Sequence, residues 1–162
     1  GLDSDYDGKL APGETEKLQG FDMDWPEGYE GDVYVEVGGA PVALGPPEPG
    51  EAALLGNGML TSTHTRRLAR PLDGHAEQVV IKVYDPTFYT AYSILPEQVS
   101  TEASHCATAV YAPDLEAAQA YLDAALEQLG ASIDDPFVEQ DFPAVGDRFS
   151  EEVRLTCEGP GG

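Results

Sequence analysis

Residues 77–84 read E-Q-V-V-I-K-V-Y, and this is the stretch on which the fold depends. In an extended chain successive side chains point to opposite faces, so Lys82 and Tyr84 share one face with Val80. The apolar side chains of the other face are Val79, Ile81 and Val83. Asp85-Pro86 interrupts the pattern, and residues 88–94 are predicted to resume as another strand. We expect these two strands to form the centre of a sheet.

Shorter patterns on both sides predict further antiparallel strands. Residues 32–44 contain D-V-Y-V-E-V, a G-G-A turn and P-V-A-L, which is typical of a β-hairpin. Thr-rich alternation after Met59 and the stretch from Cys106 to Tyr111 each predict a strand. Residues 45–58 are rich in Pro and Gly, and we expect a loop at least at both ends of this segment.

Residues 115–129, L-E-A-A-Q-A-Y-L-D-A-A-L-E-Q-L, predict one long helix. Its apolar side chains repeat at helical spacing and form a stripe, which favours packing on a sheet. Asp114 is a candidate N-cap, and Gly130 is placed to end the helix. The sequence thus predicts an α+β fold that is mainly antiparallel and sandwich-like, with one long packed helix.

We expect a single domain over residues 1–162, because the chain has the length of one domain and 41% hydrophobic residues. Within it, residues 1–20 are interpreted as a calcium loop with a short helix, and residues 21–157 as a β-rich body. Residues 158–162 are predicted to be a flexible tail.

The net charge of −22, from 8 basic and 30 acidic residues, restricts the partners. A field of this sign repels nucleic acid and anionic lipid surfaces, and it favours cations or basic partners. We therefore expect no nucleic-acid partner. The sequence also contains no apolar run near 18 residues, so no membrane span is predicted.

Residues 3–14, D-S-D-Y-D-G-K-L-A-P-G-E, match the spacing of a calcium-binding loop. The residues at ligand positions 1, 3, 5, 7, 9 and 12 are Asp3, Asp5, Asp7, Lys9, Ala11 and Glu14. Lys9 would contribute its backbone carbonyl, Ala11 would hold a ligating water, and Glu14 would bind through both oxygens. Gly8 stands where the loop turns sharply, and Pro12 suits the first turn of a following helix.

This loop resembles that of the EF-hand family, which implies a structural calcium ion. The alternative interpretation is a solvated acidic turn. Only Gly1 and Leu2 precede Asp3, so we expect either a half-hand or an EF-hand whose entering helix lies outside this sequence. A single loop favours a static calcium site over a calcium sensor, because sensors usually work as paired hands.

Cys106 and Cys157 are the two cysteines of the chain. In an exported protein the simplest arrangement is one disulfide between them, and the alternative is two buried thiols. The histidines, His64, His75 and His105, lack a metal-ligand spacing, so a composite zinc or nickel site with carboxylates is the minority interpretation. No serine-hydrolase or nucleotide-binding motif occurs, and we expect no enzymatic activity.

Three segments carry a wider resemblance: G-F-D-M-D-W-P-E-G at 20–28, R-P-L-D-G at 70–74 and V-V-I-K-V-Y-D-P-T-F-Y-T-A-Y at 79–92. Together with the acidic loop and E-E-V-R-L-T-C at 151–157, they resemble a bacterial periplasmic family of unknown function. Its members are described as periplasmic components of an uncharacterised ABC-type transport system, often encoded beside nickel/cobalt permeases. The resemblance implies export to the periplasm and a transport context.

Two functional hypotheses follow. In the first, the protein is an exported, non-enzymatic accessory component of a transport system, with structural calcium and with a permease or a divalent metal ion as partner. In the second, it is a cell-envelope protein-interaction module stabilised by calcium, without a transport role. A hydrolase is a third class, which would require a pocket with shifted carboxylate pKa values.

Overall fold

The computed structural model describes residues 9, 11–19, 25, 27, 29–72, 78–87, 90–130 and 143–158. The helices and strands are α1 Pro12–Leu18, β1 Val33–Val37, β2 Ala40–Val42, β3 Glu48–Leu54, β4 Leu60–Thr65, β5 Val79–Val83, β6 Cys106–Tyr111, α2 Leu115–Leu129 and β7 Glu152–Cys157. The chain divides into a smaller compact unit, residues 1–31 and 44–69, and a larger one, residues 32–43 and 70–162. This division into compact units does not test the predicted single domain over residues 1–162, which stays a prediction.

The larger unit contains a five-stranded antiparallel sheet in the order β2-β1-β5-β7-β6. Ile81 lies between Val35 of β1 and Val153 of β7, and both of these valines are buried. Because side chains alternate along each strand, this register places the valine-rich sides of three strands on one face. The prediction that residues 79–83 form the centre of the sheet is confirmed.

The second predicted central strand, over residues 88–94, is wrong where it can be compared: residues 90–94 have no strand structure. The Asp85 carboxylate explains this, since its Oδ1 accepts the Thr87 N–H at 2.9 Å and its Oδ2 accepts the Thr90 N–H at 3.0 Å. A side chain that binds nearby backbone donors competes with the hydrogen bonds of a strand. The chain therefore turns after β5.

The long helix α2 has the predicted limits. Asp114 accepts the Ala117 N–H at 3.0 Å through Oδ1, and Gly130 adopts a left-handed conformation with φ of 66°. These are the side-chain N-cap and the glycine C-terminus that end helices efficiently. Leu122 and Leu126 of α2 pack with Val145, and Phe149 lies against this cluster.

The smaller unit contains α1 and an antiparallel hairpin of β3 and β4. Gln19 joins them, because its Nε2 donates to the Ala52 carbonyl at 2.7 Å and its Oε1 accepts the Ala52 N–H at 3.2 Å. β3 lies in the middle of the Pro- and Gly-rich segment 45–58 and was not predicted. A side chain at Gly50 would overlap the Thr63 backbone, and the register shifts between Pro49 and Ala52, so these residues fit an irregular strand.

The α+β class, the mainly antiparallel sheets and the single long helix are confirmed. The two sheets belong to different units, five strands in the larger and two in the smaller. Within the described ranges, no helix is both long enough and apolar enough to cross a membrane.

Candidate functional site

Of the predicted calcium loop, the structure describes Lys9 and residues 11–14. Asp3, Asp5 and Asp7 lie outside the described residues, whereas Lys9 and Ala11 are exposed and precede or border α1. Glu14, the predicted bidentate ligand, lies in the first turn of α1 and is 7% exposed. α1 begins at Pro12, and the calcium loop before it stays a prediction.

Glu14 is the one acidic residue that is buried among the residues the structure describes, and burial of a carboxylate is unfavourable unless hydrogen bonds or cations compensate it. Its Oε2 accepts the Ala11 N–H at 2.9 Å, which is the bond made by the third helical residue of a capping box, although Ala11 has no side-chain oxygen to complete that box. An ionised carboxylate has about four acceptor sites. Glu14 is therefore a buried, hydrogen-bonded carboxylate at the last position of the predicted loop, and its role as a calcium ligand stays a prediction.

Cys106 and Cys157 form a disulfide, as predicted. They are paired across β6 and β7, with their Cα atoms 4.0 Å apart. The Glu158 N–H donates to the His105 carbonyl at 2.9 Å, so the adjacent cysteine pair is a non-hydrogen-bonded pair, whose side chains approach most closely. The register of the last two strands thus brings the sulfurs together.

The ligand atoms of His105, Cys106 and Cys157 lie within 4.8 Å of one another, which is metal-site spacing. Both sulfurs are already joined in the disulfide, however, and a thiolate is the form that binds metal. In the smaller unit, the His64 ring lies edge-on to Trp25 with centroids 6.3 Å apart. His75 lies outside the described residues.

Trp25 is the centre of an aromatic cluster in the smaller unit. Tyr29 packs edge-on against it at 5.2 Å between centroids, and the Arg66 guanidinium lies 5.3 Å from the ring centroid. Arg66 also donates to the carbonyls of Glu30 and Gly45, at 2.7 and 2.9 Å. These contacts anchor Trp25 within the smaller unit.

The larger unit also has a cavity that the sequence did not predict, with a volume of about 260 Å³. Its lining comes from β5, from the end of β6 and the start of α2, and from the 3-10 helix Gly146–Phe149 with the residues after it. The charged residues of the lining are Lys82, Asp114, Asp147, Arg148 and Glu152. The only sequence feature that pointed to this cavity was the alternation in β5, which placed Lys82 on the face opposite Ile81.

Gly146 positions one wall of this cavity. Its N–H donates to the Pro86 carbonyl at 3.0 Å, and a Cβ at this position would overlap the Asp85 carbonyl. The absence of a side chain therefore lets the 3-10 helix lie directly against the turn that follows β5. Asp147 and Arg148 are the next residues along the chain, and both line the cavity.

Tyr84, which directly follows β5, is a partly buried tyrosine on the same face as Lys82. Tyr84 is stacked on Tyr34 with ring centroids 4.0 Å apart. Burial, followed by the charges of Tyr34, Asp147 and Glu36, raises the pKa of Tyr84 to about 12. Loss of the Tyr84 proton is thus disfavoured, mainly because the hydroxyl is partly buried.

These features define an α+β protein with a five-stranded antiparallel sheet, one long helix and one disulfide, preceded by a sequence of calcium-loop spacing. The chain belongs to the family described as "Protein of unknown function (DUF1007)", whose sequence profile matches residues 1–157. Searches of curated proteins and of solved structures gave no match. The predicted membership of a family of unknown function is confirmed, and the transport context stays a prediction.

Proposed function

We propose that this protein is an exported, non-enzymatic binding component of an ABC-type transport system and that a calcium ion stabilises its amino-terminal segment. The observation that carries the calcium part is the placement of Glu14. A buried carboxylate stands at the last position of a twelve-residue pattern whose sequence carries three aspartates. Oxygen ligands of this number and spacing suit Ca²⁺.

The disulfide supports export. Disulfides persist in oxidising compartments such as the bacterial periplasm and are rare in the cytosol. The high negative charge is compatible with a role in attracting cations. The transport role itself depends on the resemblance to periplasmic transport components, with a permease or a divalent metal ion as partner, and no residue is assigned a catalytic role.

The calcium proposal is tested by Glu14→Gln. This change retains a side-chain oxygen that can accept the Ala11 N–H but removes the negative charge required for calcium. In millimolar calcium we expect the melting temperature to fall relative to the wild-type protein, and in chelator we expect little difference. Differential scanning calorimetry measures both conditions.

The matched control is Glu16→Gln, an exposed acidic residue of the same helix. It removes the same charge two residues away from the ligand position and should leave the calcium-dependent gain in melting temperature unchanged. An equal loss for Glu14→Gln in calcium and in chelator would instead identify residues 3–14 as a plain acidic turn.

A cell-envelope protein-interaction module stabilised by calcium, without a transport role, is the second candidate. It is favoured by the exposed apolar side chains at the turn between β3 and β4: Leu55, Met59 and Leu60 are 45%, 61% and 44% exposed. Calorimetric titration with calcium, zinc and nickel distinguishes the candidates. Tight binding of a transition metal favours metal transport, whereas binding of calcium alone favours the interaction module.

A further inference from the structure

Lys82 is unusual among the cations of this chain. It lies in the central strand β5, is half-buried and lines the cavity of the larger unit. Glu152 is directly opposite it on β7, but the Glu152 Oε1 is paired with Arg154 at 2.8 Å. No carboxylate in the described part of the chain lies within 4 Å of the Lys82 ammonium.

Arg148 is the second cation of the lining. Its Cζ lies 3.7 Å from the centroid of the Tyr121 ring. Stacking on an aromatic face leaves the N–H groups in the guanidinium plane able to donate to other acceptors. Arg148 forms no ion pair with any residue in the ranges that the structure describes.

The carboxylates of the lining are mostly engaged elsewhere. Asp114 caps α2 through the Ala117 N–H, and Glu152 is bound to Arg154. Asp147 remains, so the side chains without a described hydrogen-bond or ion-pair partner are two cations and one carboxylate. A chain with 30 acidic residues could readily supply partners for both cations, and leaving a half-buried ammonium unpaired is unfavourable.

From this we infer that the cavity binds a small solute through a carboxylate group, with Lys82 and Arg148 as the anion-binding residues. Guanidinium and ammonium groups form charge-assisted hydrogen bonds with carboxylates. Tyr111, Pro113 and Ala118 supply apolar surface for a short carbon skeleton. The cavity volume is below the range of about 300–1,000 Å³ typical of drug-sized ligands, which restricts the ligand to a small molecule.

This inference is independent of the calcium loop. All residues of the cavity belong to the larger unit, whereas Glu14 belongs to the smaller one. It adds a ligand class to the proposed binding role, and it can fail or succeed without the calcium proposal. The calcium dependence of the melting temperature, measured on the same preparations, separates the two results.

The test is a titration of the ¹⁵N-labelled full chain with succinate, followed by NMR. We expect saturable shifts of the amides of Lys82, of residues 111–118 and of residues 147–150. Lys82→Gln and Arg148→Gln should each weaken binding about tenfold or more, because each removes a charge-assisted hydrogen bond. Lys17→Gln, an exposed lysine of α1, is the matched control and should bind succinate like the wild-type protein.

Succinamide has the same skeleton without charge and should cause no saturable shift. The inference is overturned if succinamide binds as well as succinate, if Lys82→Gln retains wild-type affinity, or if methylammonium binds at this cavity in preference to succinate. The last result would assign the cavity to cations through Asp147. Unchanged melting temperatures of the variants establish that a loss of binding is not a loss of folding.

Discussion

At the scale of single residues, Tyr84 links the packing of the sheet to pH. Burial is the largest cause of its raised pKa of about 12, followed by the charges of Tyr34, Asp147 and Glu36. An unfolded tyrosine has a pKa of about 10. Between these two values the folded protein keeps the Tyr84 proton and the unfolded chain loses it.

We therefore predict that stability falls as the pH rises from about 10 to about 12, because unfolding then releases a proton. Tyr84→Phe should make this fall shallower, and the difference between wild-type and variant absorbance at 295 nm should titrate near pH 12. Thermal unfolding measures the fall in stability, and Tyr121→Phe, at an exposed tyrosine, is the control that should leave this fall unchanged. A difference spectrum that titrates near pH 10 would contradict the raised pKa.

The structural roles of residues that act on their neighbours in sequence could be predicted from the sequence alone. Asp114 and Gly130 limit α2 because a cap and a left-handed glycine act within one turn of the helix. Lys82 could be assigned to a face of β5 but not to a cavity. Its surroundings depend on α2 and on residues 147–150, which are distant in sequence and are brought together only by the fold.

At the scale of secondary-structure elements, the disulfide joins β7 to the edge strand β6. An edge strand is hydrogen-bonded on one side only, so its attachment depends on a single neighbour. The two cysteines are 51 residues apart in sequence. In the chain-entropy model a closed loop of this length stabilises the fold by about 4 kcal/mol.

We predict that the double substitution Cys106→Ala and Cys157→Ala lowers the free energy of unfolding by about 2–4 kcal/mol. Urea denaturation measures this loss. Amide hydrogen exchange should become faster in β6 than in β5, since β5 keeps partners on both sides. Reduced wild-type protein should behave like the variant, and equal stability of the oxidised and reduced forms would contradict the prediction.

The elements were predicted where periodicity is regular and missed where side chains override it. β5 and α2 have uninterrupted patterns of the expected period. β3 contains Pro49 and Gly50, which normally indicate a loop, and a bulge accommodates them. Residues 90–94 look like a strand, but the hydrogen bonds accepted by Asp85 turn the chain away.

At the scale of the whole molecule, like charges dominate the electrostatics. With 30 acidic and 8 basic residues, folding brings many carboxylates closer together than they are in the unfolded chain. The described ion pairs, an exposed one between Arg67 and Glu48 and a half-buried one between Arg154 and Glu152, neutralise few of these charges. Repulsion between carboxylates should therefore be a general destabilising contribution.

We predict that raising NaCl from about 0.05 M to about 1 M, in chelator, increases the melting temperature by about 2–8 °C, or roughly 1–2 kcal/mol. Salt shortens the range over which the carboxylates repel one another. The control is the same comparison near the sequence pI of about 4.1, where the net charge is small and the salt effect should be much weaker. An equal increase at both pH values would point to salting-out instead.

The position of β7 has a consequence for synthesis. It follows every other described strand along the chain, yet it lies between β5 and β6 and is the one described neighbour of β6. Until it arrives, β6 has no template and its thiol no partner, so the nascent chain holds an incomplete sheet open to proteases and chaperones. A chain that ends before residue 152 would lack the strand that joins β5 to β6, so the five-stranded sheet could not close in a truncated product.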